Sequence, residues 1–265
     1  MNIDYRQLEQ HAQNIRRNVI KMAVRAKSAH LGGVLSIVEI LTVLYFQILK
    51  IDPQAAHDPD RDRLIFSKGH AGLALYAALV ERGFAAEEIL ETFYKDDTML
   101  TAHPTKDCMP GVETTTGSLG HGLPLGTGLA WAAKHDNQPF RTFVLMSDGE
   151  CDGGSTWESI LFAGHHQMDN LIAVVDYNKI QGFGRTAEVL NLEPFVKKWE
   201  SFNWAVQEVD GHDLAKLQEV LSQVPFQTGK PSVVIAHTIK GKGTSLEDTL
   251  DSHYKIPPEY ATDLH

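Results

Sequence analysis

The chain has 265 residues, of which 43% are hydrophobic and 22% charged, a formal net charge of −10 and two cysteines, Cys108 and Cys151. That composition fits a folded globular chain and excludes a disordered one. Two cysteines exclude a disulfide framework, and with no long basic run nucleic acid is not an expected partner.

The N-terminus, MNIDYRQLEQHAQNIRRNVIKMA, lacks the apolar core of a signal peptide. No uninterrupted apolar run of about 18 residues stands out, so no membrane-spanning helix is expected, and a cytoplasmic location is. A prior of about 150 residues per domain suggests two domains, but α/β domains of about 250 residues are common. Residues 1–265 are read as one domain.

Leu8, His11, Ile15, Val19, Met22 and Ala26 recur at helical spacing and predict a helix over 4–28. A second helix is expected after Gly32-Gly33, from about Ser36 to Leu49, stopping before Asp52-Pro53. Arg63–Phe66 (RLIF) is a short strand leading into Ser67-Lys68-Gly69-His70; LALYAALVERG then reads as a helix closed by Gly83. Thr142–Met146 (TFVLM), Leu171–Val175 (LIAVV) and Ser232–Ala236 (SVVIA) are unbroken apolar runs, the pattern of parallel strands buried on both faces. Between the first two, STWESILFAGHHQM reads as a helix with Ser155 as N-cap and Glu158 three residues on. Ala205–Val209 adds a strand and 213–223 a helix. The alternation predicts an α/β fold: a parallel sheet with helices on both faces, its ligands at the carboxyl ends of the strands.

TFVLM is followed by Ser147-Asp148-Gly149-Glu150, and LIAVV by Asp176-Tyr177-Asn178-Lys179-Ile180-Gln181. Adjacent parallel strands would bring Asp148 and Asn178 to one edge, and their hard oxygen donors suit Mg²⁺ or Ca²⁺. Gly149 lets the backbone approach an anion closely, and the helix opening near Ser155 offers free N–H groups. A lone Asp-Gly pair is usually only a turn; the asparagine on the second strand gives it chemical meaning.

The segment SDGECDGGSTWES…VVDYNKIQ resembles the signature of thiamine-diphosphate enzymes, an Asp-Gly pair with an asparagine thirty positions on, here from 148 to 178. Other segments resemble the transketolase family: KSAHLGG around His30, RDR…SKGH ending at His70, TAHP around His103, GVETTTGSLG over 111–120, and Asp251-Ser252-His253. The resemblance runs from about residue 15 to 255. It implies a thiamine-diphosphate-binding fold of the diphosphate (PP) type. It implies Mg²⁺, with Ca²⁺ or Mn²⁺ able to substitute, on Asp148, Asn178 and the carbonyl of Ile180. Cofactor contacts implied are His70, Gly117, Ser118, Leu119, Gly149, Glu150, Asn178, Lys240 and His253. His30, His103 and His253 would line the sugar funnel, where imidazole, titrating near neutrality, can accept and return protons. His11, His57, His135, His165, His166, His212, His237 and His265 are read as surface or packing residues, and His121, in the cofactor loop, is given no role.

The chain departs from the family pattern at Ser147 for glycine, at Ala29 and Leu31 beside His30, and at Gly153 where a glutamate usually links paired sites. Asp152 stands one residue away from that position, and Glu158, which resembles a second interface carboxylate, is retained. No segment resembles the pyrimidine-binding domain, which carries the family's cofactor-activating glutamate, or the C-terminal domain. The resemblance therefore implies the N-terminal subunit of a split transketolase: a ketol transferase for sugar substrates, active only with a C-terminal subunit and expected as α₂β₂. The ending at Tyr260-Ala-Thr-Asp-Leu-His265 is read as that of a natural subunit. Alternatives are another thiamine-diphosphate enzyme, such as a deoxyxylulose-phosphate synthase or the α subunit of a 2-oxo acid dehydrogenase, or a non-catalytic regulatory homologue.

Overall fold

The computed structural model describes residues 4–28 and 30–261; Ala29 and His265 lie outside the described residues. Five strands form one sheet: β1 (Arg63–Phe66), β2 (Thr142–Ser147), β3 (Leu171–Tyr177), β4 (Ala205–Asp210) and β5 (Ser232–His237). All neighbours are parallel, in the order β1-β2-β3-β5-β4. Every residue of the central β3 is buried, which is why LIAVV carries no polar alternation.

The pleat sends alternate residues to opposite faces. Phe143, Leu145, Ile172, Val174 and Val234 pack in one core with α1 (Tyr5–Ala26), α2 (Leu31–Leu35), α3 (Val38–Val43), α4 (Gly72–Arg82) and α9 (Leu214–Leu221). Val144, Met146, Ala173, Val175 and Ile235 join the other core with α5 (Gly122–His135), α6 (Gly154–His165) and α8 (Phe195–Ser201). Short helices α7 (Thr186–Val189) and α10 (Asp251–Tyr254) sit in the loops after β3 and β5. The expected α/β sheet with helices on both faces is the observed one. Asp4 caps α1 through Arg6 N and Gln7 N, and Gly83 closes α4.

The second expected helix is broken. Gly32 and Gly33 lie inside α2, and after Ser36-Ile37 the chain restarts as α3 and widens into a π turn over Leu44–Ile48. The break follows a buried polar contact: Ser36 Oγ donates to Asp176 Oδ2 at 2.7 Å. By length and composition Leu31–Ile48 could cross a membrane, contrary to the expectation, but it is mostly buried inside the fold. Helix α6 also starts differently. Gly153 is its N-cap, while the Ser155 hydroxyl donates to Gly120 O at 2.8 Å, so the expected serine cap is instead a tie to the 117–120 loop. Helix α5 has no clear signal in the sequence pattern, because its glycines and Pro124 dilute the apolar period.

Candidate active site

The carboxyl ends of β2 and β3 lie side by side, with Ser147 in register with Asp176. Ser147, where the signature has glycine, is the last residue of β2 and sits in ordinary strand backbone. Asp148 follows it and is 2% exposed. Its Oδ1 accepts from Gly149 N at 2.7 Å and its Oδ2 from Lys179 N at 2.6 Å, so the carboxylate is held against the loop after β3. Burial, and then the nearby charge of Asp176, push its carboxyl up to about 7. A buried carboxylate under that pressure is suited to a cation.

Asn178 completes the pair. Its Nδ2 donates to Asp176 Oδ2 at 2.9 Å and its Oδ1 accepts from Ile180 N at 3.1 Å, which fixes the amide's orientation and leaves Oδ1 a further lone pair. Asp176 is the keystone beneath. Its carboxylate accepts from Lys68 Nζ, Ser36 Oγ, Thr238 Oγ1 and Asn178 Nδ2. Lys68 and Asp176 are essentially fully buried, and although burial acts to raise the Asp176 carboxyl, the charge of Lys68 and these hydrogen bonds hold it below its usual value. Sequence reading missed this network. Its signal was the pair of flanking motifs, since Lys68 precedes Gly69-His70 and Asp176 precedes Asn178 by two.

Asp148, Gly149, Asn178, Ile180, Leu119, His70, Lys240 and His253 line one cavity of about 130 Å³, together with Gly33, Lys68 and the loop Gln181-Gly182-Phe183. Lys240 Nζ donates to Ile180 O at 2.7 Å. Burial, and then the charge of Lys68, lower its ammonium to about 8. The fit to a diphosphate and a divalent ion rests on this donor set. One carboxylate, one amide oxygen and one carbonyl leave the rest of a Mg²⁺ octahedron to phosphate and water, and Lys240 supplies a cation for the anion. Among the described residues no cluster of three acidic, histidine or cysteine ligands exists to hold a metal by itself.

The histidines gather at the cavity's rim. The rings of His30 and His253 are 4.6 Å apart and those of His30 and His70 are 5.6 Å apart. His30 N donates to His253 O at 2.8 Å, tying the two segments backbone to backbone. Burial lowers all three rings; His70 lies well below its usual value, while His253, with Lys240 adding to burial, falls to about 4. His103 reaches the group from another direction: its ring packs on Gly117, and its charge also lowers His30. Gly69 and Gly117 approach so closely that a Cβ on Gly69 would stand 2.7 Å from Gly117 N. This contact sets the 117–119 segment beside His70, with Ser118 and Leu119 exposed.

Glu150 is placed differently from the rest. Its buried carboxylate accepts from Ser147 N at 2.7 Å, Ser67 Oγ at 2.5 Å and Gly120 N at 3.1 Å, and the residue does not line the cavity. The side chain braces the loop. Asp152 likewise faces its own chain, accepting from Gln181 Nε2 at 2.8 Å.

A family profile described as transketolase, thiamine diphosphate binding domain, matches residues 8–256. The chain belongs to the transketolase family. The 6-deoxy-6-sulfo-D-fructose transketolase subunit SqwG of a Clostridium species is 43% identical over 93% of this chain and 90% of its own length. An apulose-4-phosphate transketolase subunit from Actinobacillus succinogenes is 43% identical over 97% of this chain and 93% of its own. Among solved structures, transketolase from Leishmania mexicana superposes with a TM-score of 0.91 at 28% identity, and that from Campylobacter jejuni with 0.88 at 31%. The chain spans only 40% of the length of either solved transketolase, while covering nearly all of itself. It carries a transketolase thiamine-diphosphate-binding domain and is similar in extent to proteins that are themselves named subunits.

Proposed function

We propose that this subunit joins a second chain to form a transketolase that moves a two-carbon ketol unit from a ketose to an aldose and is active only in that assembly. The observation that carries the reading is one cavity in which Asp148, Asn178 and the Ile180 carbonyl meet Lys240 and the histidine rim. Asp148, Asn178 and Ile180 O would hold Mg²⁺, or Ca²⁺ or Mn²⁺ in its place. Gly149, His70, Lys240 and His253 would hold the diphosphate, and Gly117 to Leu119 the rings. When bound, thiamine diphosphate supplies the electron sink for the carbon–carbon cleavage.

The chain's own side chains manage protons. With their values lowered, His30, His70 and His253 are neutral near pH 7. A neutral imidazole at the rim can take a proton from a sugar hydroxyl and later return it. His103 is exposed, packs on Gly117 and lies outside the cavity lining.

The need for a partner is supported by the apolar surface this fold leaves uncovered. Leu125, Leu129 and Trp131 on α5 and Leu161 and Phe162 on α6 are exposed, with Trp131 and Phe162 in edge contact at 5.6 Å. Apolar patches of this kind mark interfaces. The partner would carry the pyrimidine-binding domain and its glutamate, in an α₂β₂ assembly. The substrates named for the two relatives both carry an anionic group, phosphate or sulfonate, and a ketose with an anionic tail is the donor proposed here.

The test is reconstitution. The purified chain with thiamine diphosphate, Mg²⁺, a ketose phosphate and an aldose should be inactive, and addition of a chain bearing the pyrimidine-binding domain should start turnover. Substantial turnover without the second chain would refute the partner requirement. Release of CO₂ from pyruvate by the assembled pair would replace ketol transfer with 2-oxo acid chemistry.

A further inference from the structure

The segment that carries Lys240 is pinned on both sides by one carboxylate that does not line the cavity. Glu39, on the first turn of α3, uses both oxygens: Oε1 accepts from Arg16 Nη2 at 2.6 Å, and Oε2 lies 2.9 Å from His212 Nδ1. Each of these two partners reaches onward to the loop after β5. Arg16 Nη1 donates to Lys242 O at 2.5 Å, and Ile239 N donates to His212 Nε2 at 2.8 Å. The two anchored residues, 239 and 242, flank Lys240. Because Nε2 accepts from a backbone N–H, the ring proton sits on Nδ1 and donates to Glu39. His212 thus joins a carboxylate to a main-chain amide, as a neutral imidazole can.

We propose that Arg16, Glu39 and His212 form a clamp that fixes the 239–242 loop and, through it, holds Lys240 in the cavity lined by Asp148 and Asn178. These are positioning residues: none lines the cavity of Lys240. The loop needs such a device. Gly241 has a left-handed φ of 77° and Gly243 one of 85°. Between the anchors, Gly241 N donates to Gly32 O at 2.9 Å, and Asp248 N donates to Lys240 O at 2.8 Å. All three side chains are largely buried, at 21%, 14% and 13% exposed for Arg16, Glu39 and His212, and together they line the wall of a separate surface cavity of about 400 Å³. Against burial, which acts to raise it, the hydrogen bond from His212 and the charge of Arg16 hold the Glu39 carboxyl below its usual value. The carboxylate therefore stays ionised and bonded to both partners.

The role in ligand binding rests on the diphosphate reading of the cavity; the loop clamp itself does not. The experiment uses the full chain with inorganic pyrophosphate and Mg²⁺ as the probe, read by calorimetry, together with amide hydrogen exchange over 239–243 and the melting temperature. His212→Leu removes both bonds of the ring. His212→Gln keeps an acceptor and a donor on one side chain. The clamp predicts faster exchange over 239–243 in His212→Leu and about tenfold weaker pyrophosphate binding, the scale on which outer-shell partners act, with both recovered in His212→Gln. Arg16→Met, which cuts the other arm, should reproduce the loss if His212→Leu does not fold. Unchanged exchange over 239–243 in a folded variant would overturn the clamp. Faster exchange with wild-type affinity would overturn its hold on Lys240, as would equal damage from glutamine and leucine. Failure of the wild-type chain to bind pyrophosphate would count against the diphosphate reading, and hydrogen exchange would then decide the clamp alone.

Discussion

The ammonium of Lys240 donates to the carbonyl oxygen of Ile180 across 2.7 Å, so a backbone acceptor beside Asp148 is held by a cation from a different loop. A hydrogen bond to a charged group contributes about 1.5–3 kcal/mol. If Lys240 turns that bond to a diphosphate, Lys240→Met should weaken thiamine diphosphate about 10- to 100-fold at tenfold per 1.4 kcal/mol. The dependence on divalent ion should remain. Titration of cofactor at fixed Mg²⁺, with and without chelator, measures both.

Asp176 is bonded to Asn178, Lys68, Ser36 and Thr238 at once. Asp176→Asn should free the Asn178 amide and lower Mg²⁺ affinity about 10- to 100-fold. Lys68→Met strands the buried carboxylate just as Asp176→Asn strands the buried ammonium, and breaking a buried pair in this way costs about 3–5 kcal/mol. Chemical denaturation should therefore show a large loss for both variants, while Mg²⁺ titration separates them, because only Asp176→Asn changes the partner of the Asn178 amide.

Gly69→Ala would put a methyl group 2.7 Å from Gly117 N and 2.8 Å from Gly117 Cα, both main-chain atoms that cannot rotate away. The 117–119 segment would have to move, at a cost of about 1–3 kcal/mol for such overpacking. Cofactor affinity should fall together with the melting temperature, and a crystal structure of the variant would show Gly117 displaced.

Asp148→Ala and His103→Ala should part company. The first removes a carboxylate of the proposed metal site, and metal-dependent cofactor binding should disappear. His103 is exposed and does not line the cavity, so its loss should leave cofactor affinity within about twofold and lower turnover by roughly 10²–10⁴-fold, the usual range for a general acid or base. Calorimetry and steady-state rates on the assembled pair check the contrast.

His253 sets a pH dependence. Burial, and then the charges of Lys240, His30 and Lys68, lower it to about 4 in the folded chain, against an ordinary value of 6.5. The unfolded chain therefore binds a proton that the folded chain refuses, and stability falls as pH drops from about 6.5 to about 4. Above 6.5 the ring is neutral in both states and this dependence vanishes. In His253→Gln the melting temperature should decline less steeply over that window; an unchanged slope would assign the acid sensitivity to other groups.

The strands, and the meeting of Asp148 and Asn178 at one sheet edge, were legible because both depend on short-range pattern. TFVLM, LIAVV and SVVIA are apolar throughout since β2, β3 and β5 are covered on both faces, and functional groups on a parallel sheet follow such runs directly. What resisted reading depends on partners distant in sequence. Nothing near Ser36 announces that its hydroxyl will meet Asp176 and interrupt a helix. Ser155 has a capping pattern but bonds to Gly120 instead. His212, read as a packing residue, meets Glu39 across 173 positions and Ile239 across 27. Glu150 sits inside the signature, yet three donors already claim its carboxylate.

His30 near one end of the chain and His253 near the other share a main-chain hydrogen bond, and this constrains where the domain can be cut. A coding boundary drawn upstream of residue 251 would strip one imidazole from the rim and also release the backbone that carries another. Proteolytic trimming would act the same way. Two rings of the histidine rim are disturbed by a single cut.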